Sequence, residues 1–157
     1  MQKISPFLWF DNQAEEAVGF YLSLFDDSRI TTTLRYPQNS TIGDPGSVMS
    51  LGFELAGQEF MALNGGPDFR FNPSISFYVH CEDQAEIDRL WAALGEGGAY
   101  NQCGWLTDRF GVSWQVVPRA LDQMLTDSDP ERANRVMQAM LQMKKLDIDA
   151  LKRAYDG

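Results

Sequence analysis

The stretch DNQAEEA at residues 11–17 recurs in altered form as EDQAEID at residues 82–88. Each copy follows a short apolar and aromatic segment and opens a stretch in which apolar residues return at helical spacing. After each helix pattern come short β-rich segments separated by turn residues. The two copies therefore mark an internal repeat of about 70 residues, in which a strand, a helix and further strands follow in the same order.

The first repeat is predicted to contain one helix and four strands. The strands are Ile4–Phe10, Arg29–Tyr36, Val48–Leu55 and Gln58–Asn64, the last two forming a hairpin about Ala56–Gly57. The helix is predicted to be capped by Asp11 or Asn12 and to run to Phe25. The stretch NGGPDFRFNP then breaks the pattern and is interpreted as a linker.

The second repeat is predicted to follow the same plan, and a helical region follows it. Its strands are Ser74–His80, Cys103–Thr107 and Val112–Val117, with a helix at Asp83–Leu94. After Pro118, one helix begins at Asp129 and another at Asp147, each with a capping carboxylate. The residues expected to face the body are Ala133, Val136, Met137, Met140, Leu141, Leu151 and Tyr155.

Composition and charge exclude several classes of protein. The 157 residues are 44% apolar and 22% charged, which permits a real core. A net charge of −9 without a basic patch disfavours nucleic-acid binding. No apolar run is long enough to span a bilayer, so no membrane partner is expected. Two cysteines, Cys81 and Cys103, do not make a disulfide framework, and a cytoplasmic location with reduced thiols is predicted.

Several long stretches carry a resemblance to one known family. They are PFLWFDNQAEEAVGFY, GQEFMALNGGP, SISFYVHCEDQAEIDRLW, QCGWLTDRFGVSWQVVP and MKKLDIDALKRAY. Together they resemble the PhnB-like family, also described as 3-demethylubiquinone-9 3-methyltransferase, of the vicinal oxygen chelate (glyoxalase/bleomycin resistance/dioxygenase) superfamily. The resemblance implies an α+β fold with paired βαβββ modules and a C-terminal helical extension. We expect one glyoxalase-like domain at 1–157, with module one at 3–66, module two at 74–118 and the helices at 119–157.

The resemblance also implies a ligand cleft between two curved sheets. Since side chains alternate along a strand, each strand can be divided into a cleft face and a helix face. Ile4, Leu8 and Phe10 are assigned to the helix face, together with Trp114. The residues predicted to line the cleft and bind the ligand are Ser5, Phe7, Trp9, Ala62, Asn64, Ser76, Tyr78, Ser113 and Gln115. These aromatic, hydroxyl and amide groups suit a small, partly apolar molecule held by a few hydrogen bonds.

Metalloenzymes of this superfamily bind their metal through residues on the first, fourth, fifth and eighth strands. The corresponding residues here are Ser5, Ala62, Ser74 or Ser76, and Gln115. Transition metals prefer imidazole, thiolate or carboxylate donors, and His80 is the single histidine of the chain. We therefore expect no metal and no cofactor. Methyl transfer is also disfavoured, because no helix pattern follows the glycines of LNGGP.

Four groups of side chains have both a functional and a structural interpretation. His80 could be a general base or a solvated strand-end residue, with the second favoured. Cys103 could be a nucleophile or a packing residue, again with the second favoured. Trp9 could stack on a ligand or pack in the core, and Asn64 and Gln115 could orient a ligand or satisfy each other; the sequence does not decide these cases.

Three functions follow as hypotheses. The first is a metal-independent small-molecule-binding protein. The second is a divergent enzyme of the superfamily, namely a lyase, an isomerase or a 3-demethylubiquinone-9 3-methyltransferase-type enzyme, and the sequence leaves open whether the chain is an enzyme. The third is a dimeric interaction protein with a vestigial cleft. The family resemblance implies a homodimer in each case.

Overall fold

The computed structural model describes all residues, Met1–Gly157, and these form two compact units, Met1–Phe71 and Asn72–Gly157. Each unit contains one four-stranded sheet and one helix between its first and second strands. The second unit also contains three C-terminal helices. The α+β class and the doubled βαβββ order predicted from the repeat are therefore confirmed.

The first unit consists of four strands and one helix. They are β1 (Phe7–Phe10), α1 (Ala14–Leu24), β2 (Arg29–Arg35), β3 (Val48–Leu55) and β4 (Gln58–Asn64). In the sheet the order is β1-β4-β3-β2, with β1 and β4 parallel and the other pairs antiparallel. The β3–β4 hairpin has the predicted bounds, because Ala56 and Gly57 both adopt positive φ and so close a two-residue turn.

The core of the first unit lies between α1 and one face of the sheet. Ala14, Ala17, Val18 and Tyr21 are fully buried on the inner stripe of α1. The buried side chains of the sheet are Leu8, Phe10, Leu51, Phe53, Leu55, Phe60 and Ala62. Ile4 was predicted to share this helix face, but it lies before β1 and is 82% exposed.

The second unit repeats this plan with a much shorter strand at one edge of its sheet. Its elements are β5 (Phe77–Cys81), α2 (Gln84–Gly95), β6 (Ala99–Tyr100), β7 (Trp105–Thr107) and β8 (Ser113–Pro118). The order is β5-β8-β7-β6, with β5 and β8 parallel. The two-residue strand β6 has no alternation long enough to be recognised in the sequence, and it was not predicted.

The C-terminal helices are α3 (Arg119–Leu125), α4 (Pro130–Leu141) and α5 (Ile148–Asp156). They share a cluster of six buried side chains with the end of β8: Val117, Leu121, Met124, Val136, Leu146 and Leu151. The prediction that Met137 and Leu141 face inward is wrong, since they are 37% and 47% exposed. The apolar stripe of α4 is broader than the surface that α3 and α5 cover.

The segment Met143–Ile148 joins α4 to α5 and is bound along its length to the rest of the second unit. The backbone N–H groups of Cys103 and Gly104 donate to the carbonyl oxygens of Met143 and Lys144, each at 2.8 Å. The amide of Gln84 donates to Leu146 O at 3.0 Å and accepts from Ile148 N at 2.8 Å. We call this segment the strap; it fixes the helical extension to α2 and to the turn before β7.

The two repeated helices begin in different ways. The Asp83 side chain accepts a hydrogen bond from Glu86 N at 2.9 Å and caps α2, as its type predicts. Neither Asp11 nor Asn12 caps α1; instead Asn64, at the end of β4, accepts from Ala14 N at 2.8 Å. The predicted local cap is therefore wrong.

No helix in the structure is both long and apolar enough to cross a lipid bilayer.

Candidate functional site

The second sheet has one face against α2 and one face away from it. The register pairs Phe77 with Trp114 and Val79 with Val116, and these apolar side chains lie on the α2 side. The opposite side, which we call the open face, carries the alternate residues of the same strands. They are Tyr78, His80, Ser113, Gln115 and, from β7, Trp105 and Thr107. Ser76, just before β5, joins them through a hydrogen bond to Gln115, whereas Val117 at the end of β8 is buried in the C-terminal cluster. Tyr78 and Gln115 are therefore opposite each other and share one face of the sheet, as the alternation predicts.

Gln115 lies at the centre of this open face. Its side-chain nitrogen Nε2 donates to Ser76 Oγ at 3.0 Å, and its neighbours in register are Tyr78 on β5 and Trp105 on β7. A glutamine side chain has two N–H donors and a carbonyl acceptor. One donor is used by Ser76, so the other N–H and the carbonyl oxygen can serve a ligand. Ser113 is only 2% exposed and forms the floor beside them.

Tyr78 and His80 share a carboxylate that the sequence analysis did not identify. The Tyr78 hydroxyl donates to Asp122 Oδ1 on α3 at 2.8 Å, and His80 Nδ1 lies 3.7 Å from Asp122 Oδ2. The two rings are in contact, with centroids 4.9 Å apart. Burial and the Asp122 carboxylate together raise the pKa of Tyr78, so the phenol remains protonated at neutral pH. Asp122 is separated from β5 by more than 40 residues, and no local pattern points to it.

The first sheet departs from the prediction at two residues. In the parallel pair β1–β4, Phe7 is opposite Met61, Leu8 is opposite Ala62 and Phe10 is opposite Asn64. Ala62 and Asn64 therefore lie on the α1 side with Leu8 and Phe10, and their assignment to the face of Phe7 is wrong. The residues of β4 that share the face of Phe7 and Trp9 are Met61 and Leu63.

Asn64 is fully engaged in structural contacts. Besides capping Ala14, it donates through Nδ2 to Glu15 Oε1 at 2.9 Å and to Val48 O at 3.1 Å. Its backbone carbonyl accepts from the Tyr36 hydroxyl at 2.6 Å. Asn64 and Gln115 each have side-chain hydrogen-bond partners within their own unit.

Phe7 and Trp9 lie on the predicted face of β1 but differ in their surroundings. Phe7 is 53% exposed and is available to a ligand. The indole of Trp9 donates to Gly66 O at 2.9 Å and meets Phe69 edge-on, with ring centroids 5.0 Å apart. Trp9 is thus used mainly in packing against the linker. Ser5 precedes β1, is half-buried, and its hydroxyl is 3.4 Å from the Gln2 amide nitrogen.

Aligning the two repeats on Gln13 and Gln84 places Phe7 at the position of Tyr78 and Ser5 at that of Ser76. Since Phe7 is opposite Met61 and Tyr78 is opposite Gln115, the repeat counterpart of Gln115 is Met61 rather than Ala62. The four positions that the family resemblance assigned to metal ligands are then held by two hydroxyls, a thioether and an amide. This donor set does not fit a transition metal. No three His, Cys, Asp or Glu side chains come together in a cluster that could hold a metal ion.

The glycines of LNGGP do not form a cofactor-binding turn. The residues after β4 continue without a helix until α2, so the strand–turn–helix that presents backbone N–H groups to a nucleotide is missing. A Cβ atom on Gly65 would lie 2.5 Å from the Trp9 ring. Gly65 is therefore required by the packing of Trp9, and the residues here do not fit S-adenosylmethionine.

The two cysteines are free. Cys81 is fully buried, and burial raises the pKa of its thiol to about 12. Cys103 has a positive φ of 60° and is part of the turn that the strap holds. Neither cysteine has a histidine contact that would activate a thiolate, so the structural interpretation accounts for both.

The chain was compared with protein families and solved structures. A family model described as 3-demethylubiquinone-9 3-methyltransferase matches residues 2–117. The match ends close to the end of β8, so the C-terminal helices lie beyond it. No protein with a curated function matches the chain.

Two solved structures show the fold. A PhnB protein from Bacillus cereus is 42% identical, with a TM-score of 0.69, and the match covers 74% of this chain and 99% of that one. A protein from Pseudomonas aeruginosa is 24% identical, with a TM-score of 0.63, and the match covers 75% of this chain and 98% of that one. A glyoxalase/bleomycin resistance domain from Frankia is more distant, at 15% identity and a TM-score of 0.47, covering 75% and 92%.

Proposed function

The chain belongs to the 3-demethylubiquinone-9 3-methyltransferase family of PhnB-like proteins, and from this premise we propose that it binds a small organic molecule without a metal ion. The ligand is held on the open face of the second sheet. The observation that carries this proposal is the placement of Gln115, Ser76 and Tyr78 side by side on that face. Their polar atoms stand on a rigid sheet and include donors and acceptors that no protein partner uses.

The chemistry of the face suggests the class of ligand. It offers an amide, hydroxyls and the rings of Tyr78, His80 and Trp105, and its charged members are Asp122 and, when protonated, His80. Such a surface suits a compact molecule with a carbonyl or hydroxyl group and an apolar part. A phosphate or polyanionic ligand is disfavoured, because the Arg119 guanidinium, which interacts with Asp122, is paired with Glu82.

A ligand screen by thermal shift tests the proposal. We expect at least one carbonyl- or hydroxyl-containing metabolite to raise the melting temperature of the wild-type protein. The Gln115→Leu variant should fold but lose this shift, because leucine keeps the size of the side chain and removes its hydrogen bonds. Gln138→Leu, which changes an exposed glutamine on α4, is the matched control and should keep the shift. A shift that Gln115→Leu leaves unchanged would contradict the proposal.

Metal independence needs its own measurement. Elemental analysis of untagged protein should find no stoichiometric zinc, nickel, manganese or iron. The ligand-induced shift should also survive treatment with a chelator. A shift that disappears with the chelator and returns with one divalent metal would refute a metal-free site.

A further inference from the structure

Beyond ligand binding, the open face of the second sheet contains the parts of an acid–base site. We propose that His80 transfers protons to and from the bound molecule, with Asp122 positioning its imidazole and Tyr78 positioning Asp122. This inference rests on the proposed ligand site at Gln115.

The carboxylate of Asp122 is held between two groups of β5. One oxygen accepts the Tyr78 hydroxyl at 2.8 Å, and the other lies 3.7 Å from His80 Nδ1. The second separation is longer than a hydrogen bond, but it places the carboxylate beside Nδ1. A neutral imidazole carries one proton, so a proton held on Nδ1 leaves Nε2 free to act as a base. Burial and Asp122 raise the pKa of Tyr78, so the phenol keeps its proton and continues to hold the carboxylate.

His80 can be reached by a ligand on the same face. The side chains of His80 and Asp122 are each 48% exposed, and the Tyr78 ring packs beside the imidazole. Gln115 is opposite Tyr78, and His80 is two residues further along β5, so about 7 Å separates the amide from the imidazole along the strand. Arg119 is the other charge that acts on Asp122, and it is itself paired with Glu82.

This spacing suits a small carbonyl compound with an acidic C–H next to the carbonyl group. The Gln115 N–H would donate to the carbonyl oxygen, and His80 Nε2 would take the neighbouring proton. The C–H electron pair then forms the C=C bond of an enolate, whose charge lies on the oxygen at Gln115. Return of a proton from His80 to the same carbon restores the C=O bond and gives hydrogen exchange with solvent, so no oxidant or further reactant is needed.

The first test uses the fact that His80 is the single histidine. In ¹⁵N-labelled protein above the pH at which imidazole is protonated, the two ring nitrogens report the tautomer directly. We expect the wild type to hold the proton on Nδ1, and Asp122→Asn to shift the population toward Nε2. Asp68→Asn, at an exposed site of the linker, should leave the tautomer unchanged. A wild-type imidazole with the proton on Nε2 would overturn the proposal.

The second test measures chemistry with defined probes. Hydroxyacetone and pyruvate are incubated in D₂O, and loss of the C–H signal is followed by NMR. We expect the wild type to exchange at least one of them ten-fold faster than His80→Gln, with Asp122→Asn and Tyr78→Phe intermediate and with altered pH profiles. Rates equal to those of His80→Gln for both probes would overturn the acid–base role. If a ligand still raises the melting temperature of the wild type but not of Gln115→Leu, the binding proposal holds and only the acid–base role is rejected.

Discussion

The side-chain oxygen of Asn64 accepts a hydrogen bond from the backbone N–H of Ala14 at 2.8 Å, across 50 residues of chain. The first N–H groups of a helix have no partner within the helix, and a neighbouring side chain usually supplies one. Here the partner is the last residue of β4, which also binds Val48 and Glu15. Asn64 therefore links α1 to the sheet. The start of α1 and the end of β4 both depend on this one residue.

Replacing Asn64 by Ala should destabilise the protein by about 1–3 kcal/mol, since the cap and two further hydrogen bonds are lost together. Urea denaturation followed by circular dichroism measures the difference. Asn12→Ala is the control, because Asn12 is exposed and does not cap α1; its effect should stay within about 0.5 kcal/mol. Equal losses in the two variants would show that the cap is not at Asn64.

Two glycines of the first unit should respond in opposite directions to alanine. At Gly65 the new Cβ would lie 2.5 Å from the Trp9 ring, so the indole must move and we expect a loss of about 1–3 kcal/mol. At Gly19, inside α1, no atom outside the local helix backbone lies within 4 Å of the added Cβ, and alanine should stabilise the helix by about 0.5–1 kcal/mol. Melting temperatures and tryptophan fluorescence check both, and a harmless Gly65→Ala would refute the close packing of Trp9.

Alanine substitutions at two adjacent positions of α4 should have very different effects on stability. Val136 is fully buried in the C-terminal cluster, so Val136→Ala should cost about 2 kcal/mol through lost burial and a cavity. Met137 is 37% exposed, and Met137→Ala should cost less than about 0.5 kcal/mol. Denaturant titrations compare the two. A large loss at Met137 would mean that this side chain is covered in solution.

Cys81 should affect stability at alkaline pH. Burial raises the pKa of its thiol to about 12 in the folded protein from about 9 when unfolded, so the folded state holds this proton more tightly. The resulting stability is present below pH 9 and is lost as the pH rises toward 12, at up to about 1.4 kcal/mol per pH unit. Between pH 9 and 10.5, the free energy of unfolding should therefore fall more steeply for the wild type than for Cys81→Ala. Parallel slopes would contradict a protected thiol.

Much of the fold could be predicted from the sequence, because the strongest signals are local. The repeat identified two modules, and the Ala56–Gly57 turn fixed the bounds of β3 and β4. The cap of α1 was mispredicted since its acceptor comes from a distant strand. Helices were expected over 119–157, but no separate helix was assigned to 119–125, and Asp122 was missed with it.

The faces of β4 and β8 show why one half of the candidate site was predicted and the other was not. In β8 the polar residues Ser113 and Gln115 alternate with Trp114 and Val116 and mark the open face. In β4 both faces are apolar, with Phe60 and Ala62 on one side and Met61 and Leu63 on the other. Alternation then separates two sets of residues but does not say which set meets the helix. That choice depends on the register with β1, which the sequence does not encode locally.

The strap has a consequence for how the protein resists digestion. Connections between helices are usually the first places where proteases cut, because a protease must draw an extended chain into its active site. Residues 143–148 form such a connection, but backbone and side-chain hydrogen bonds hold them to Cys103, Gly104 and Gln84. Limited proteolysis should therefore spare this connection until the second unit itself unfolds, so that cleavage between α4 and α5 reports global unfolding rather than local fraying.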